Sequence, residues 1–225
     1  MKVSEALQSR ISCRAFLPDE ISLETVKSIL ETANAAPSGG NLQPWRVMAV
    51  GGEKLSGLFE QVREDMKETP RGQKPLFNVY PDDLQDPFYR RREKCGEDMY
   101  AKLNIVREDK RGRVAQFKRN FEMFGAPVGL FVFVDQAMEK MQWLDTGLFI
   151  QSIMLQAREA GLHTCAQGAW TFWHETVARH ITPPENHVLV CGIALGKMDV
   201  DAPINQLRTD REPIESVAQF IGFDT

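Results

Sequence analysis

The sequence predicts an α+β fold in which helices cover both faces of one central sheet. Four short runs are apolar at nearly every position, as expected of strands that are buried on both faces, and they lie at residues 47–50, 127–134, 162–166 and 187–195. The segments between these runs repeat apolar residues at helical spacing. A chain of 225 residues suits a single domain, residues 1–225.

Helices are predicted at eight places along the chain. Ser4 is a suitable N-cap for the first, and Ser22 for the second, which follows it directly. Residues 142–160 are apolar almost all round, so this helix should lie in the core of the assembly. The first helix covers residues 3–9, and the remaining helices cover residues 53–67, 93–103, 108–124, 174–180 and 214–220.

Residues 69–92 fit no regular element, because four prolines interrupt them. Long loops of this kind in compact domains are usually functional, so a lid is predicted here. The segment ends in Arg90, Arg91 and Arg92, for which a solvated helix start is favoured over a substrate contact. The tail, residues 197–225, lacks periodicity but ends in apolar side chains, which suggests that it docks on another subunit.

Composition excludes several classes of protein. The net charge is −4 and the pI is about 5.7, whereas a nucleic-acid partner calls for a basic face. The apolar runs are too short to span a bilayer, and the N-terminus does not resemble a signal peptide. The four cysteines form no Cys-x-x-Cys pair, which favours free thiols in a reducing cytoplasm. The four histidines show no metal-ligand spacing, so no metal site is predicted.

Two short motifs carry groups suited to a polar, phosphorylated ligand. The arginine motif, residues 10–14, places two arginines four residues apart with Ser12 between them, and guanidinium groups bind phosphate bidentately. The glycine turn, residues 37–43, joins a helix to a strand. Its glycines permit close backbone approach, and its hydroxyl and amide side chains could bind the edge of a polar ring. The alternatives are a solvated arginine pair and an ordinary helix-to-strand connection.

Taken together, the two motifs resemble those of the nitroreductase family of FMN-dependent oxidoreductases. That family combines an Arg-x-Ser-x-Arg/Lys segment with Pro-Ser-x-x-Asn-x-Gln-Pro-Trp, and the resemblance extends over essentially the whole chain. The C-terminal pattern Asn205-x-x-Arg208-x-x-Arg211-x-Pro213 is most similar to the nitrobenzoate-reductase-like branch. The resemblance implies an α+β sandwich with a central mixed sheet. It also implies an intertwined homodimer that holds FMN at its interface, with the tail wrapped around the partner.

The resemblance also implies roles for individual residues. The arginine motif would contact the phosphate, ribityl chain and pyrimidine side of FMN, and the glycine turn would approach the flavin from the other subunit. Gln167 and Gly168, in the place where many relatives have Glu-Gly, would present backbone N–H groups beside flavin N5 and O4. Between the two tail arginines, Arg211 is favoured over Arg208 as the phosphate ligand. The implied FMN-binding residues are Arg10, Ile11, Ser12, Arg14, Pro37, Ser38, Gly39, Asn41, Gln43, Ala166, Gln167, Gly168, Arg208 and Arg211.

The implied reaction passes a hydride from NAD(P)H through flavin N5 to a nitroaromatic or similar acceptor by a ping-pong mechanism. No side chain needs to be catalytic, and the Gly168 backbone and Arg14 would give electrostatic support. Phe88 and Tyr89 would shape the acceptor pocket. Lys197 is either solvated or a contact to FMN or NAD(P)H. The alternatives are a reductive dehalogenase or ene-reductase of the same fold, and a flavin-binding protein without catalysis.

Overall fold

The computed structural model describes residues 1–223 and contains four strands and eight helices within them. The strands are β1 (Trp45–Gly51), β2 (Val128–Asp135), β3 (His163–Gln167) and β4 (His187–Gly196). The helices are α1 (Val3–Ser9), α2 (Leu23–Ala33), α3 (Gly52–Glu68), α4 (Phe88–Lys102), α5 (Lys110–Lys118), α6 (Lys140–Glu159), α7 (His174–Ile181) and α8 (Ile214–Val217). Short 3₁₀ helices cover Gly39–Asn41, Arg119–Gly125, Gly168–Trp173 and Pro203–Gln206.

The four strands form one sheet in the order β1-β2-β4-β3, and every neighbouring pair is antiparallel. The expected mixed sheet is therefore corrected to an antiparallel one. Within residues 1–223, parallel pairing is confined to an isolated bridge between Ser12 and Thr164. Apolar runs reveal that both faces of a strand are covered, but they carry no information on strand direction, which explains the difference.

Helices cover both faces of the sheet, as predicted. On one face, α3, α7 and the 3₁₀ segments pack Leu58, Val62 and Trp170 against Phe131. On the other face, α2 and α6 pack against the opposite sides of the same strands. There Phe149 of α6 stacks on Trp45 of β1, with ring centroids 4.7 Å apart. The sheet thus forms the packed centre of the fold, and the arginine motif and the glycine turn adjoin its strands.

The helix boundaries show which helix ends the local sequence predicts correctly. Ser22 caps α2 as predicted, since its side chain accepts a hydrogen bond from the Thr25 backbone N–H at 3.1 Å. Ser4 does not cap α1, because that helix already begins at Val3, with Lys2 at the N-cap position. The predicted helix 108–124 is shorter, ending at Lys118 in α5 and continuing as a 3₁₀ segment.

The irregular segment predicted over residues 69–92 ends at Pro87. Helix α4 starts at Phe88, directly after Pro87, which lies at its N-cap position. No proline follows within the helix, and the arginines there are good helix formers. We call residues 69–87 the proline-rich loop. Arg90, Arg91 and Arg92 accordingly lie in the first turns of α4 and not in a loop.

One side of α6 is left uncovered within the subunit. Met141 and Leu144 are 63% and 57% exposed, and Leu148 is also exposed. The tail after α8 presents three further exposed apolar side chains: Phe220, Ile221 and Phe223. No helix among residues 1–223 is long and apolar enough to cross a membrane. The four cysteines are free thiols, and three of them are buried.

Candidate functional site

The arginine motif lies along the outer edge of β3. The backbone N–H of Cys13 donates to the carbonyl of Thr164 at 3.0 Å, beside the bridge that Ser12 forms with the same residue. This contact places Arg10 and Arg14 beside the strand. Burial raises the pKa of the Cys165 thiol in β3, and the positive charges of Arg14 and Arg10 act in the opposite direction. Sequence reasoning therefore identified a segment that the fold fixes against the edge of the sheet.

The tail holds the arginine motif in place through Asn205. The Asn205 side chain is only 3% exposed and accepts a hydrogen bond from the Arg14 backbone N–H at 2.8 Å. Its amide nitrogen donates to the carbonyl oxygens of Ala15 at 2.7 Å and Asp199 at 2.8 Å. One buried amide thus joins the tail to the N-terminal segment and fixes the backbone that carries Arg14.

A second group of polar side chains gathers where β3 begins. Arg158, at the end of α6, donates from Nε to Ser9 Oγ at 3.2 Å and from Nη1 to the Leu162 carbonyl at 2.8 Å. The neighbouring His163 has its pKa lowered to about 4, first by burial and then by the charges of Arg158 and Arg208. The imidazole is therefore neutral at physiological pH, and Arg208 lies close enough to act on it.

Arginines are concentrated at this end of the sheet without matching carboxylates. Four arginines lie here, at positions 10, 14, 158 and 208, and within residues 1–223 none of them forms an ion pair. Uncompensated guanidinium groups next to exposed backbone suit a phosphate or another anion. The four residues, which we call the arginine cluster, are Arg10, Arg14, Arg158 and Arg208.

Arg211 lies in a different setting. Its guanidinium donates to the Thr209 carbonyl and hydroxyl and to the Asp210 carbonyl, all within its own stretch of tail. It lines a cavity of about 560 Å³ between the tail and α4. Two ion pairs span this cavity, Arg91 with Glu212 at 2.8 Å and Lys94 with Asp210 at 2.9 Å. The structure thus groups Arg208, and not the favoured Arg211, with the charges beside β3.

The glycine turn is fixed by hydrogen bonds within itself and to α6. Gly40 and Asn41 adopt φ values of 57° and 56°, a left-handed conformation that glycine tolerates without cost. Ser38 Oγ accepts from the Gln43 backbone N–H at 3.0 Å, which closes the turn. The Gly39 N–H donates to the buried Asp145 carboxylate of α6 at 3.1 Å. Pro37, Gly39 and Asn41 are exposed, and within residues 1–223 no hydrogen bond joins this turn to the arginine motif.

The end of β3 combines an exposed residue, Ala166, with a buried polar side chain, that of Gln167. Ala166 is exposed at the outer edge of the sheet, beyond the point where the arginine motif covers it. The Gln167 side chain is 3% exposed and turned inward, and its Nε2 donates to Asn120 O at 2.8 Å and Asn120 Oδ1 at 3.1 Å. Gln167 therefore fixes the 3₁₀ segment before β2, and Ala166 is the residue of β3 that is exposed at the edge.

The proline-rich loop reaches this same edge. It is anchored at its start, where the Gln73 side chain donates to Thr176 Oγ1 at 2.8 Å and accepts from the Glu175 N–H at 2.9 Å. Further along, the Phe77 ring meets the Trp143 ring of α6 edge-on, with centroids 4.9 Å apart. Val79 then covers the start of the 3₁₀ helix at Gly168, where a Cβ would lie 3.4 Å from Val79 Cγ1.

Three other predicted positions lie outside these contacts. Phe88 and Tyr89 are exposed at the start of α4, and their contact with an acceptor stays a prediction. Lys197 forms an ion pair with Asp19 at 2.7 Å, and its ammonium lowers the pKa of that carboxyl. This pairing favours the solvated alternative for Lys197.

The sequence alone did not reveal the residues whose hydrogen bonds hold the motifs in place. Asp145 and Arg158 lie on α6, and Asn120 lies in a segment that was predicted to be helical. A buried acid in the most apolar helix of the chain was a usable signal, because unpaired buried carboxylates are costly. Asn205 belonged to a recognised motif, but two of its three partners, Arg14 and Ala15, lie 191 and 190 residues away in sequence.

The chain is similar to known proteins in both sequence and structure. The sequence model of the nitroreductase family matches residues 7–197. A 4-nitrobenzoate reductase from Pseudomonas putida is 38% identical over 219 residues, covering 96% of this chain and 94% of the relative. A chloronitrobenzene nitroreductase from Comamonas testosteroni is 31% identical, with coverage of 97% and 96%. The crystal structure of the FMN and NADPH-dependent nitroreductase NfnB from Sphigopyxis sp. strain HMH superposes with a TM-score of 0.96. It is 38% identical and covers 99% of this chain and 100% of that one.

Proposed function

The chain belongs to the nitroreductase family, and we propose that it is an FMN-dependent oxidoreductase that uses NAD(P)H to reduce nitroaromatic compounds. Named relatives reduce nitrobenzoate and chloronitrobenzene, and a structural neighbour is named as FMN and NADPH-dependent. Nitrobenzoates and related nitroarenes are therefore the acceptors to test first. The single observation that carries the proposal is the arginine cluster beside the open edge of β3.

The residues at this edge fit FMN on physical grounds. A dianionic phosphate needs cations, and the arginine cluster supplies guanidinium groups that pair with no carboxylate within the described chain. A flavin ring edge needs hydrogen-bonding groups, and backbone groups are at hand at the exposed Ala166 of β3 and at the half-buried Gly168 directly after it. Bound there, FMN would supply two-electron hydride chemistry, while the protein supplies position and electrostatics.

Individual residues then take separate tasks in the proposal. Arg10 and Arg208 hold the phosphate end, with Ile11 and Ser12 along the ribityl chain. Arg14 lies nearer the pyrimidine side, where a fixed cation stabilises the negative charge that reduction brings. The Ala166–Gly168 backbone faces the reactive edge, while the Gln167 side chain keeps that backbone in place through Asn120. Arg211 remains a second phosphate candidate through rearrangement of the tail.

A homodimer is part of the proposal. Met141, Leu144 and Leu148 form an exposed apolar stripe on α6, and the tail adds Phe220 and Ile221, which is 82% exposed. Exposed apolar surface of this kind is typical of an interface. In a two-fold dimer, residues 37–43 of one subunit would face the arginine cluster of the other, which explains why the two motifs do not meet within one chain. The part of residues 197–225 that follows Asn205 would then cover the partner, while Asn205 itself stays bound to its own subunit.

The remaining parts of the proposal concern the lid and the location. The proline-rich loop would act as the lid over the acceptor site within a single domain, because Val79 already covers Gly168. Phe88 and Tyr89 would flank that site. Four free thiols, three of them buried, suit the reducing cytoplasm.

The test combines cofactor binding with turnover. We expect the purified protein, supplied with FMN and NADPH or NADH, to reduce 4-nitrobenzoate with ping-pong kinetics. Arg10→Gln and Arg208→Gln should each raise the FMN dissociation constant about tenfold or more, because each removes a charged hydrogen bond to phosphate. Arg63→Gln, a charge-matched change at an exposed position of α3, should leave the constant unchanged. Equal affinity in all three variants would contradict the assignment of the arginine cluster.

A further inference from the structure

Three consecutive arginines open α4, and their surroundings differ. Arg90 pairs with Asp86 at 2.7 Å, and Arg91 pairs with Glu212 at 2.8 Å. Arg92 makes no ion pair within residues 1–223. Its guanidinium instead lies over the ring of Tyr80, with Cζ 4.3 Å from the ring centroid. Of the three cations, only Arg92 has no carboxylate partner among the described residues, and the Tyr80 ring holds it in place.

Tyr80 connects this cation to the candidate site. It directly follows Val79, the residue whose side chain covers Gly168 at the end of β3. Tyr80 is about half exposed, so its ring lies at the rim of the lid and not in the core. Tyr80 therefore links the Arg92 guanidinium to the segment of the loop that covers Gly168.

We propose that Arg92 binds the carboxylate of an aromatic acceptor and so makes the enzyme selective for nitroaromatic acids over neutral nitroarenes. This inference rests on the proposed function and adds the substrate class. A guanidinium stacked on a ring keeps its in-plane N–H donors free, and their fork geometry matches a carboxylate bidentately. In 4-nitrobenzoate a single ring separates the carboxylate from the nitro group. Contacts from Arg92 to Tyr80 and from the adjacent Val79 to Gly168 connect this cation to the candidate site.

Other groups nearby are less suitable for this task. Lys94, on the same helix, is already shared between Asp98 at 2.6 Å and Asp210 at 2.9 Å. Arg91 is engaged by Glu212, and its guanidinium lies over Phe88, with Cζ 5.6 Å from the ring centroid. An incoming carboxylate would have to displace an existing acidic partner at each of these residues, but at Arg92 it would displace only water.

The experiment compares kcat/KM for 4-nitrobenzoate with kcat/KM for nitrobenzene in wild type, Arg92→Gln and Arg90→Gln. We expect Arg92→Gln to lower the ratio about tenfold by reducing only the nitrobenzoate value, as for the loss of one charged hydrogen-bonded pair. Arg90→Gln removes the same charge from the same helix and should leave the ratio unchanged. Arg92→Lys should restore the ratio only in part, because an ammonium is not bidentate.

A second readout does not depend on turnover. Titration calorimetry with benzoate and benzamide should show weaker benzoate binding in Arg92→Gln and equal benzamide binding in all variants. An equal loss of kcat/KM for charged and neutral acceptors in Arg92→Gln would overturn the inference. A change confined to the use of NADPH, with NADH unaffected, would also overturn it, because it would assign Arg92 to the nucleotide phosphate. If the wild type reduces neither nitroarene, the proposed function fails, and the benzoate titration still decides whether Arg92 binds a carboxylate.

Discussion

Replacement of Asn205 by alanine tests how the tail supports the site. The Asn205 side chain makes three hydrogen bonds of 2.7–2.8 Å, to the backbone of Arg14, Ala15 and Asp199. Each contributes about 0.5–1.5 kcal/mol net, and the partners left unsatisfied in the buried setting add to the cost. We expect Asn205→Ala to lower the free energy of unfolding by about 2–4 kcal/mol, a large fraction of the stability of a typical domain.

The assay is urea denaturation followed by circular dichroism, with FMN affinity measured in parallel. Gln206→Ala is the matched control, since Gln206 lies next in the chain and is exposed. Asn205→Asp is the sharper variant. It retains an acceptor for the Arg14 N–H but sets a carboxylate against the carbonyls of Ala15 and Asp199, so it should destabilise at least as much as alanine. If Asn205→Ala stays within about 0.5 kcal/mol of Gln206→Ala, the buried amide does not support the arginine motif in the way described.

Three further predictions concern charge and assembly. Arg14→Gln should keep at least part of its FMN and lower the two-electron potential by a few tens of millivolts, roughly 30 mV for each 1.4 kcal/mol. Arg10→Gln should mainly weaken FMN binding, and dye-equilibrated potentiometry separates the two effects. His163 has a folded pKa of about 4 against an ordinary value of 6.5. Because the unfolded chain takes up that proton first, stability should fall as pH drops from 6.5 toward 4. After allowance for solvent screening the loss should be on the order of 1 kcal/mol relative to His163→Gln, as measured by urea denaturation at each pH. Deletion of residues 214–225 should shift the protein from dimer to monomer and aggregate in sedimentation velocity, and a flavin-loaded dimer from that deletion would contradict the proposed role of the tail.

The strands and the sandwich were accessible from sequence because they depend on local patterns. All four apolar runs became strands, since each is bounded by turn residues and contributes buried side chains to the core. The start of α4 was missed because the prolines before Phe88 extended the loop pattern past its true end. The direction of the strands was also missed, since it depends on connections that periodicity does not report.

The candidate site was likewise only partly predictable from the sequence. The arginine motif and the glycine turn were recognisable as short contiguous segments. Asn205 and Asp145 were not, because their importance arises from backbone partners more than a hundred residues away. Gln167 shows a further limit: sequence places it at the site, but only the structure shows that its side chain turns inward to Asn120.

The most direct test of the central claim is an anaerobic titration of the FMN-reconstituted protein, followed by its visible absorbance. The account predicts that NADPH or NADH bleaches the flavin band, and that subsequent addition of 4-nitrobenzoate restores it while the nitro group is reduced. A protein that takes up no FMN, or whose flavin band is unchanged by either nucleotide, would contradict the assignment of this chain as a flavin-dependent nitroreductase.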